Sequence, residues 1–174
     1  MNKIVVLYKS KYGAAKTYAN WIKEALCCDV FEIEQYDWER TDRYDCVVIA
    51  GGIYAGGISA VKALKKNAEA LAGKKAALFA VGASPLDEKA LEQIKEQNLK
   101  QLSLDLPLFY GRGVYDESKM NFKDRTLCKL LKKALRKKDP QTFDPWMKEL
   151  LEFDGQSCDW TDPVYLEPLL DYIR

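Results

Sequence analysis

Lys3-Ile4-Val5-Val6-Leu7-Tyr8, running directly into Lys9-Ser10-Lys11-Tyr12-Gly13-Ala14-Ala15, decides how this chain folds. The first six residues are a short β-branched and apolar run without polar alternation, the pattern of a strand covered on both faces of a parallel sheet. From Lys16 to Leu26, Ala19, Ile22, Ala25 and Leu26 recur at helical spacing. A buried strand that turns at once into a helix aims successive backbone N–H groups and the helix dipole above the strand end, which makes an anion site by construction. Gly13 lets the backbone come close, Ser10 supplies a hydroxyl, and Lys11 and Lys16 add charge at the mouth.

The same alternation continues along the chain. Asp29–Ile33 reads as a second strand, and Tyr44–Ala50, ending in Gly51-Gly52, as a third. Ser59–Leu71 reads as a helix with Val61, Leu64, Ala68 and Leu71 on one face, closed by Gly73. Lys75–Val81 is a fourth strand, and Gly82-Ala83-Ser84-Pro85 cannot continue its ladder. Asp87–Lys100 is a helix with Leu91, Ile94 and Leu99 inward. Leu104–Tyr110 is the fifth strand, broken by Gly111-Arg112-Gly113, and a last helix starts near Pro163 and runs to Ile173. Five strands alternating with helices predict an α/β doubly wound sandwich whose five-stranded parallel sheet has the order 2-1-3-4-5. In such sheets a ligand sits beyond the carboxyl ends of strands one and three, where the order reverses. That places the candidate site at residues 9–15 and 51–58.

Two further loops add to it. Gly52-Ile53-Tyr54-Ala55-Gly56-Gly57 leaves the third strand with bare backbone around one aromatic, and Val81-Gly82-Ala83-Ser84 leaves the fourth. A planar, partly apolar ligand needs a ring to stack on and open backbone along its edge. Tyr54 is the candidate ring, with packing across its own loop as the alternative role.

Composition narrows the chemistry. The 174 residues, 48% of them hydrophobic, suit a single domain spanning 1–174. With 27 basic against 26 acidic residues, the net charge of +1 gives no reason to expect nucleic acid. There is no histidine, so Ser-His-Asp and Cys-His nucleophiles and HExxH zinc sites are excluded. No catalytic residue and no metal ligand set is assigned. The opening Met1-Asn2-Lys3 and the short apolar run after it do not resemble a secretory leader, and no apolar stretch reaches the roughly 20 residues of a membrane span. Cys27, Cys28, Cys46, Cys128 and Cys158 show no metal-type spacing and read as reduced thiols, mostly core filler. A cytoplasmic protein is expected. Glu32 and Glu34 close the second strand where dinucleotide folds place a ribose-binding acid, but no GxGxxG follows the first strand, so solvated carboxylates are expected.

Residues 111–162 form an insertion after the fifth strand, longer than a connection needs. Within it, residues 123–138 place Leu127, Leu130, Leu131, Ala134 and Leu135 on one stripe and eight lysines and arginines around it. This basic amphipathic helix suits peripheral contact with an anionic membrane, an acidic redox partner, or an ordinary cover for the sheet edge, the reading preferred on the residues alone. Trp38, Trp146 and Trp160 are read as core or interface anchors.

Tyr8-Lys9-Ser10-Lys11-Tyr12-Gly13-Ala14-Ala15, with Ala19 in the helix, resembles the flavodoxin signature Ser/Thr-x-Thr-Gly-x-Thr between strand and helix. Val48-Ile49-Ala50-Gly51-Gly52-Ile53-Tyr54-Ala55-Gly56 and the stretches 109–113 and 119–125 are most similar to the branch of menaquinone-dependent protoporphyrinogen dehydrogenases. The resemblance implies FMN as cofactor, its phosphate on Ser10, Lys11, Tyr12, Gly13, Ala14 and Ala15. Its ring would lie between Ile53, Tyr54, Ala55, Gly56 and Gly57 on one side and Val81, Gly82, Ala83 and Ser84 on the other. It implies electron transfer with a redox partner protein or a quinone, or an oxidoreductase acting near the membrane. The sequence departs from the signature at Ala15, where the family carries a phosphate-binding threonine, and at Tyr12 and Ala14; Lys16 or Thr17 would have to compensate. A receiver-type signalling module of the same strand order would need an acidic pair after strand one and an aspartate ending strand three, where this chain has Lys9-Ser10 and Gly51-Gly52.

Overall fold

A computed structural model describes residues 3–100, 102 and 104–174. Met1 and Asn2, part of the opening segment considered above, lie outside the described residues. The strands are β1 (Ile4–Lys9), β2 (Asp29–Glu32), β3 (Cys46–Tyr54), β4 (Gly57–Ile58), β5 (Lys75–Gly82), β6 (Leu108–Arg112), β7 (Val114–Asp116) and β8 (Ser157–Asp159). The helices are α1 (Ala14–Leu26), α2 (Val61–Lys66), α3 (Glu88–Leu99), α4 (Phe122–Leu135), α5 (Pro145–Glu152) and α6 (Glu167–Ile173).

Among the described residues the main sheet runs β2-β1-β3-β5-β6, every pair parallel, with β4 folded back antiparallel on β3. This is the order 2-1-3-4-5 of the sequence reading, counted over the parallel strands. Successive residues of the central strands point to opposite faces, and both faces are covered. Val5, Leu7, Val47, Ile49 and Leu78 pack with Leu64 of α2 and Leu99 of α3. Val6, Val48, Ala77 and Phe79 pack with Tyr18 and Ile22 of α1 and Leu169 and Ile173 of α6. Each such aliphatic side chain contributes roughly 1.5–3 kcal/mol by leaving water. This two-sided burial is why the strands lack polar alternation.

Several boundaries differ from the sequence reading. β3 runs through Gly51 and Gly52 to Tyr54, because a Cβ on Gly51 would lie 3.0 Å from Ala60: the glycines admit a close neighbour without ending the strand. β6 likewise runs through Gly111 to Arg112, and it begins at Leu108, since residues 104–107 include Pro107 and join no ladder. The helix expected over 59–71 is α2 plus a separate 3₁₀ turn at Ala68–Leu71, and the last helix opens with a 3₁₀ turn at Pro163–Leu166. Of the cysteines only Cys28 and Cys46 are buried, so most are not core filler. No helix among the described residues is long and apolar enough to cross a membrane.

The insertion leaves and returns at one point. β7 and β8 pair antiparallel, Tyr115 opposite Cys158, and the Trp160 amide donates to the Gly113 carbonyl at 3.1 Å. From this neck α4 and α5 extend over the carboxyl end of the sheet. The stripe on 123–138 therefore does not cover the sheet edge. Leu127, Cys128 and Leu131 line a cavity beneath α4, Leu135 is buried, and Leu127, Leu130 and Leu131 remain substantially exposed.

Candidate functional site

Three loops meet at the carboxyl ends of β1, β3 and β5. The first, Ser10–Gly13, is turned by Gly13, whose φ of 99° is a left-handed value that glycine adopts without strain. The Gly13 amide donates to Ser10 Oγ at 3.1 Å. α1 then starts with no side-chain cap and no acid in its first turn, and among the described residues the amides of Ala14, Ala15 and Lys16 meet no acceptor. By contrast α3 and α4 are capped by Asp87 and Asn121, each accepting an amide at 2.8 Å. Thr17, a candidate to replace the absent threonine at position 15, donates its hydroxyl to the Gly13 carbonyl at 3.4 Å.

The second loop is a tight hairpin. Tyr54 pairs with Gly57 across Ala55 and Gly56, whose φ values of 48° and 79° are those of a two-residue type I′ turn. So Ile53, Tyr54 and Gly57 belong to strands, where the sequence suggested an open loop. The buried Asn98 of α3 holds this hairpin, donating to the Gly56 carbonyl and accepting from the Ile58 amide at 2.8 and 2.9 Å. Tyr54 folds back over Gly52, where a Cβ would stand 2.7 Å from its hydroxyl, and that hydroxyl accepts the Lys11 amide at 3.3 Å. Burial pushes the Tyr54 phenol above its ordinary pKa.

The third loop is fixed through its carbonyls. Gly82 accepts from the Gly113 amide at 2.8 Å, Ala83 from Arg112 Nε at 3.0 Å and Ser84 from the Tyr110 hydroxyl at 2.5 Å. The Arg112 guanidinium also pairs with Glu149 of α5 at 2.6 Å and lies 4.0 Å from the centre of the Trp160 ring. One side chain thus joins β6, the third loop and the insertion. Nothing in the pattern Gly111-Arg112-Gly113 marks this role in advance, since it depends on α5 and β8 returning over the sheet.

These loops border a cavity of about 750 Å³, within the usual range for a small-molecule site. Of the candidate residues, Tyr12, Ala14, Ala15, Ile53, Tyr54, Ala55, Gly56, Val81, Gly82, Ala83 and Ser84 line it. Ser10, Lys11, Gly13 and Gly57 do not; they shape the loops behind it. Its roof comes from the insertion, through Leu127, Leu131, Trp146, Leu150 and Trp160, so two tryptophans without an assigned chemistry line the cavity. Trp38 instead packs edge-on to Tyr36 against the core. Glu34 pairs with Lys9 at the surface, as expected of a solvated carboxylate.

A sequence model described as the flavodoxin domain matches residues 5–142. The chain belongs to the flavodoxin-domain family. Among solved structures, the Trp repressor binding protein of Bacillus subtilis is 20% identical over 64% of this chain and 85% of its own, with a TM-score of 0.47. Oxidised flavodoxin 2 of Bacillus cereus is 23% identical over 72% of this chain and 94% of its own, TM-score 0.44. A flavoprotein from Lactobacillus acidophilus in complex with FMN is 15% identical over 64% of this chain and 93% of its own, TM-score 0.40. No curated protein matches the sequence. The matched region of the flavodoxin domain takes in all three loops and α4, while α5, β8 and α6 lie beyond it.

Proposed function

We propose that the chain is an FMN-binding redox protein of the cytoplasm that passes electrons between a donor and an acceptor. The observation that carries this reading is the cavity itself, where the uncapped start of α1 meets bare backbone from two loops under an apolar roof. The residues fit the cofactor: three unpaired amides suit a phosphate, and an apolar cleft between Ile53–Gly57 and Val81–Ser84 suits a flat ring. Ala14, Ala15 and Lys16 would hold the phosphate through their backbone, Ser10 and Gly13 shaping the turn. Ile53, Tyr54 and Val81 would flank the ring, and Leu127, Leu131, Trp146 and Leu150 would keep water from it. Bound FMN supplies one- and two-electron redox chemistry; the protein contributes binding, orientation and electrostatics.

Titration of the purified protein with FMN, followed by quenching of flavin fluorescence, tests this directly. Saturable 1:1 binding is expected, and absence of binding at tens of micromolar FMN would refute it. Ala15→Thr restores the hydroxyl that the family signature carries, and one added hydrogen bond of about 1 kcal/mol tightens FMN roughly fivefold. Riboflavin affinity should not change with that substitution.

A second reading is favoured by one surface. Phe122 is 86% exposed, Leu130 60% and Leu127 52%, and Lys123, Lys129 and Lys133 stand exposed among them on α4. On this reading the protein is a protoporphyrinogen or quinone oxidoreductase whose insertion rests on an anionic membrane. Co-sedimentation with vesicles containing anionic lipid, but not with neutral vesicles, is expected, and Phe122→Glu with Leu130→Glu should abolish it. Equal recovery of wild type from both vesicle types removes the membrane and leaves an acidic redox protein as the docking partner.

A further inference from the structure

The loop proposed to hold the phosphate is already in contact with an anion, which comes from the insertion. Asp124, in the first turn of α4, pairs through one carboxylate oxygen with the Lys11 ammonium and accepts the Tyr12 hydroxyl at the same atom. The Tyr12 hydroxyl in turn accepts the Asn121 amide at 3.3 Å, so the start of α4 rests on the loop. The Lys11 ammonium also lies 5.4 and 5.5 Å from the centres of the Tyr12 and Tyr54 rings. Tyr12, Ala14, Ala15 and Asp124 line the same cavity. We propose that Asp124 is a built-in competitor for the ligand's phosphate and thereby sets how strongly the site prefers a phosphorylated flavin to an unphosphorylated one.

This inference rests on the FMN reading and goes beyond it. Hydrogen bonds from Lys11 and then Tyr12 hold the Asp124 carboxyl below the usual carboxylate range, so it is an anion at neutral pH. The same contact raises the Lys11 ammonium pKa. A phosphate arriving at the α1 amides meets a like charge in the same cavity and a lysine already neutralised. The phosphate then competes with Asp124 for Lys11, whose ammonium lies over the Tyr12 and Tyr54 rings at the cavity's edge, whereas riboflavin, with no phosphate, leaves the pair undisturbed. At side-chain exposures of 39% for Lys11 and 23% for Asp124, solvent screens this competition only in part.

Asp124→Asn keeps the size and the acceptor oxygen and removes the charge. Affinities of wild type and variant for FMN and riboflavin are compared by fluorescence titration. The variant is expected to bind FMN about tenfold tighter, with riboflavin changed less than twofold. An unchanged or weaker FMN affinity, or an equal gain for both flavins, overturns the proposal and assigns Asp124 the role of a brace for Lys11. Lys11→Met provides an independent arm: it weakens FMN, and adding Asp124→Asn to it recovers most of the loss. A brace predicts no recovery. Equal, tight FMN binding by wild type and Asp124→Asn leaves the FMN reading standing and removes only the competitor; failure of both to bind FMN overturns both.

Discussion

Gly111→Val lowers the stability of the protein by about 3 kcal/mol or more, the cost of overpacking a closed core. A Cβ at Gly111 would lie 2.6 Å from Cζ of Phe79 and 2.9 Å from Cζ of Tyr18. Neither ring has room to yield. Both are fully buried, their centroids are 5.0 Å apart, and Tyr18 is held at its far end. There its hydroxyl donates to the Arg112 carbonyl at 2.5 Å and accepts the Asp162 amide at 3.3 Å, the latter where the chain leaves the insertion. Displacing Tyr18 therefore disturbs β6, α1 and the end of the insertion together. Urea unfolding should show a lower midpoint with an unchanged slope. Gly111→Ala should fall between the two proteins. An unfolding free energy for Gly111→Val within about 1 kcal/mol of the parent would mean that β6 can shift away from the sheet.

Lys132→Met loosens the insertion by about 2–3 kcal/mol while leaving the sheet in place. The Lys132 side chain is 4% exposed and lies between Glu117 and Asp154, with Tyr115 and Arg136 completing the cluster. Removing the central cation leaves two partly buried carboxylates facing each other, a loss larger than that of a surface pair. The effect is local because the cluster joins β7, α4 and the segment after α5, and none of these contributes to the main sheet. Trp146 and Trp160 line the cavity under this roof, so their fluorescence should shift red before the global transition, and proteolysis should begin in residues 117–154.

The pH dependence has a definite sign. For Glu117, burial acts against the charged form, but hydrogen bonds from Lys132 and Tyr115 outweigh it and leave its pKa lowered. Asp154 is lowered by its bonds to Lys132 and then Arg136. Their stabilisation is present above the unfolded carboxylate range of about 4 and is lost as pH falls through the lower folded values. Lys132, despite burial, is raised by its two carboxylates, so its contribution persists below about 10.4 and is lost as pH rises through the raised folded value. The insertion should therefore open at both extremes in wild type, with the lysine-dependent alkaline limb absent from Lys132→Met.

How much of this was legible follows from the reach of each interaction. Lys132 counts among the eight basic residues around the apolar stripe, which look solvated in one dimension, yet the chain buries it between Glu117 and Asp154, 15 and 22 residues away in other segments. Asp124 likewise reads as an ordinary first-turn acid of a helix, and its contact with Lys11 spans 113 residues. Gly51 and Gly111 read as strand ends, since a glycine that breaks a ladder and one that makes room for a neighbour are identical in sequence. Asn98 looks like a polar residue near a helix end, and only the returning hairpin makes it an anchor.

The sequence by itself determined the strand order, the place where the order reverses and the strand-to-helix turn that aims backbone amides above β1. The first two follow from periodicity along each element and from the rules for joining parallel strands, and the third from a buried strand run passing at once into helical spacing. Tertiary structure alone decided what stands above that turn. The roof of Leu127, Leu131, Trp146 and Trp160, the Arg112 brace and the Asp124 carboxylate are contacts between distant segments. Their partners are chosen by how the insertion folds back from its β7–β8 neck, and no spacing along the chain encodes that direction.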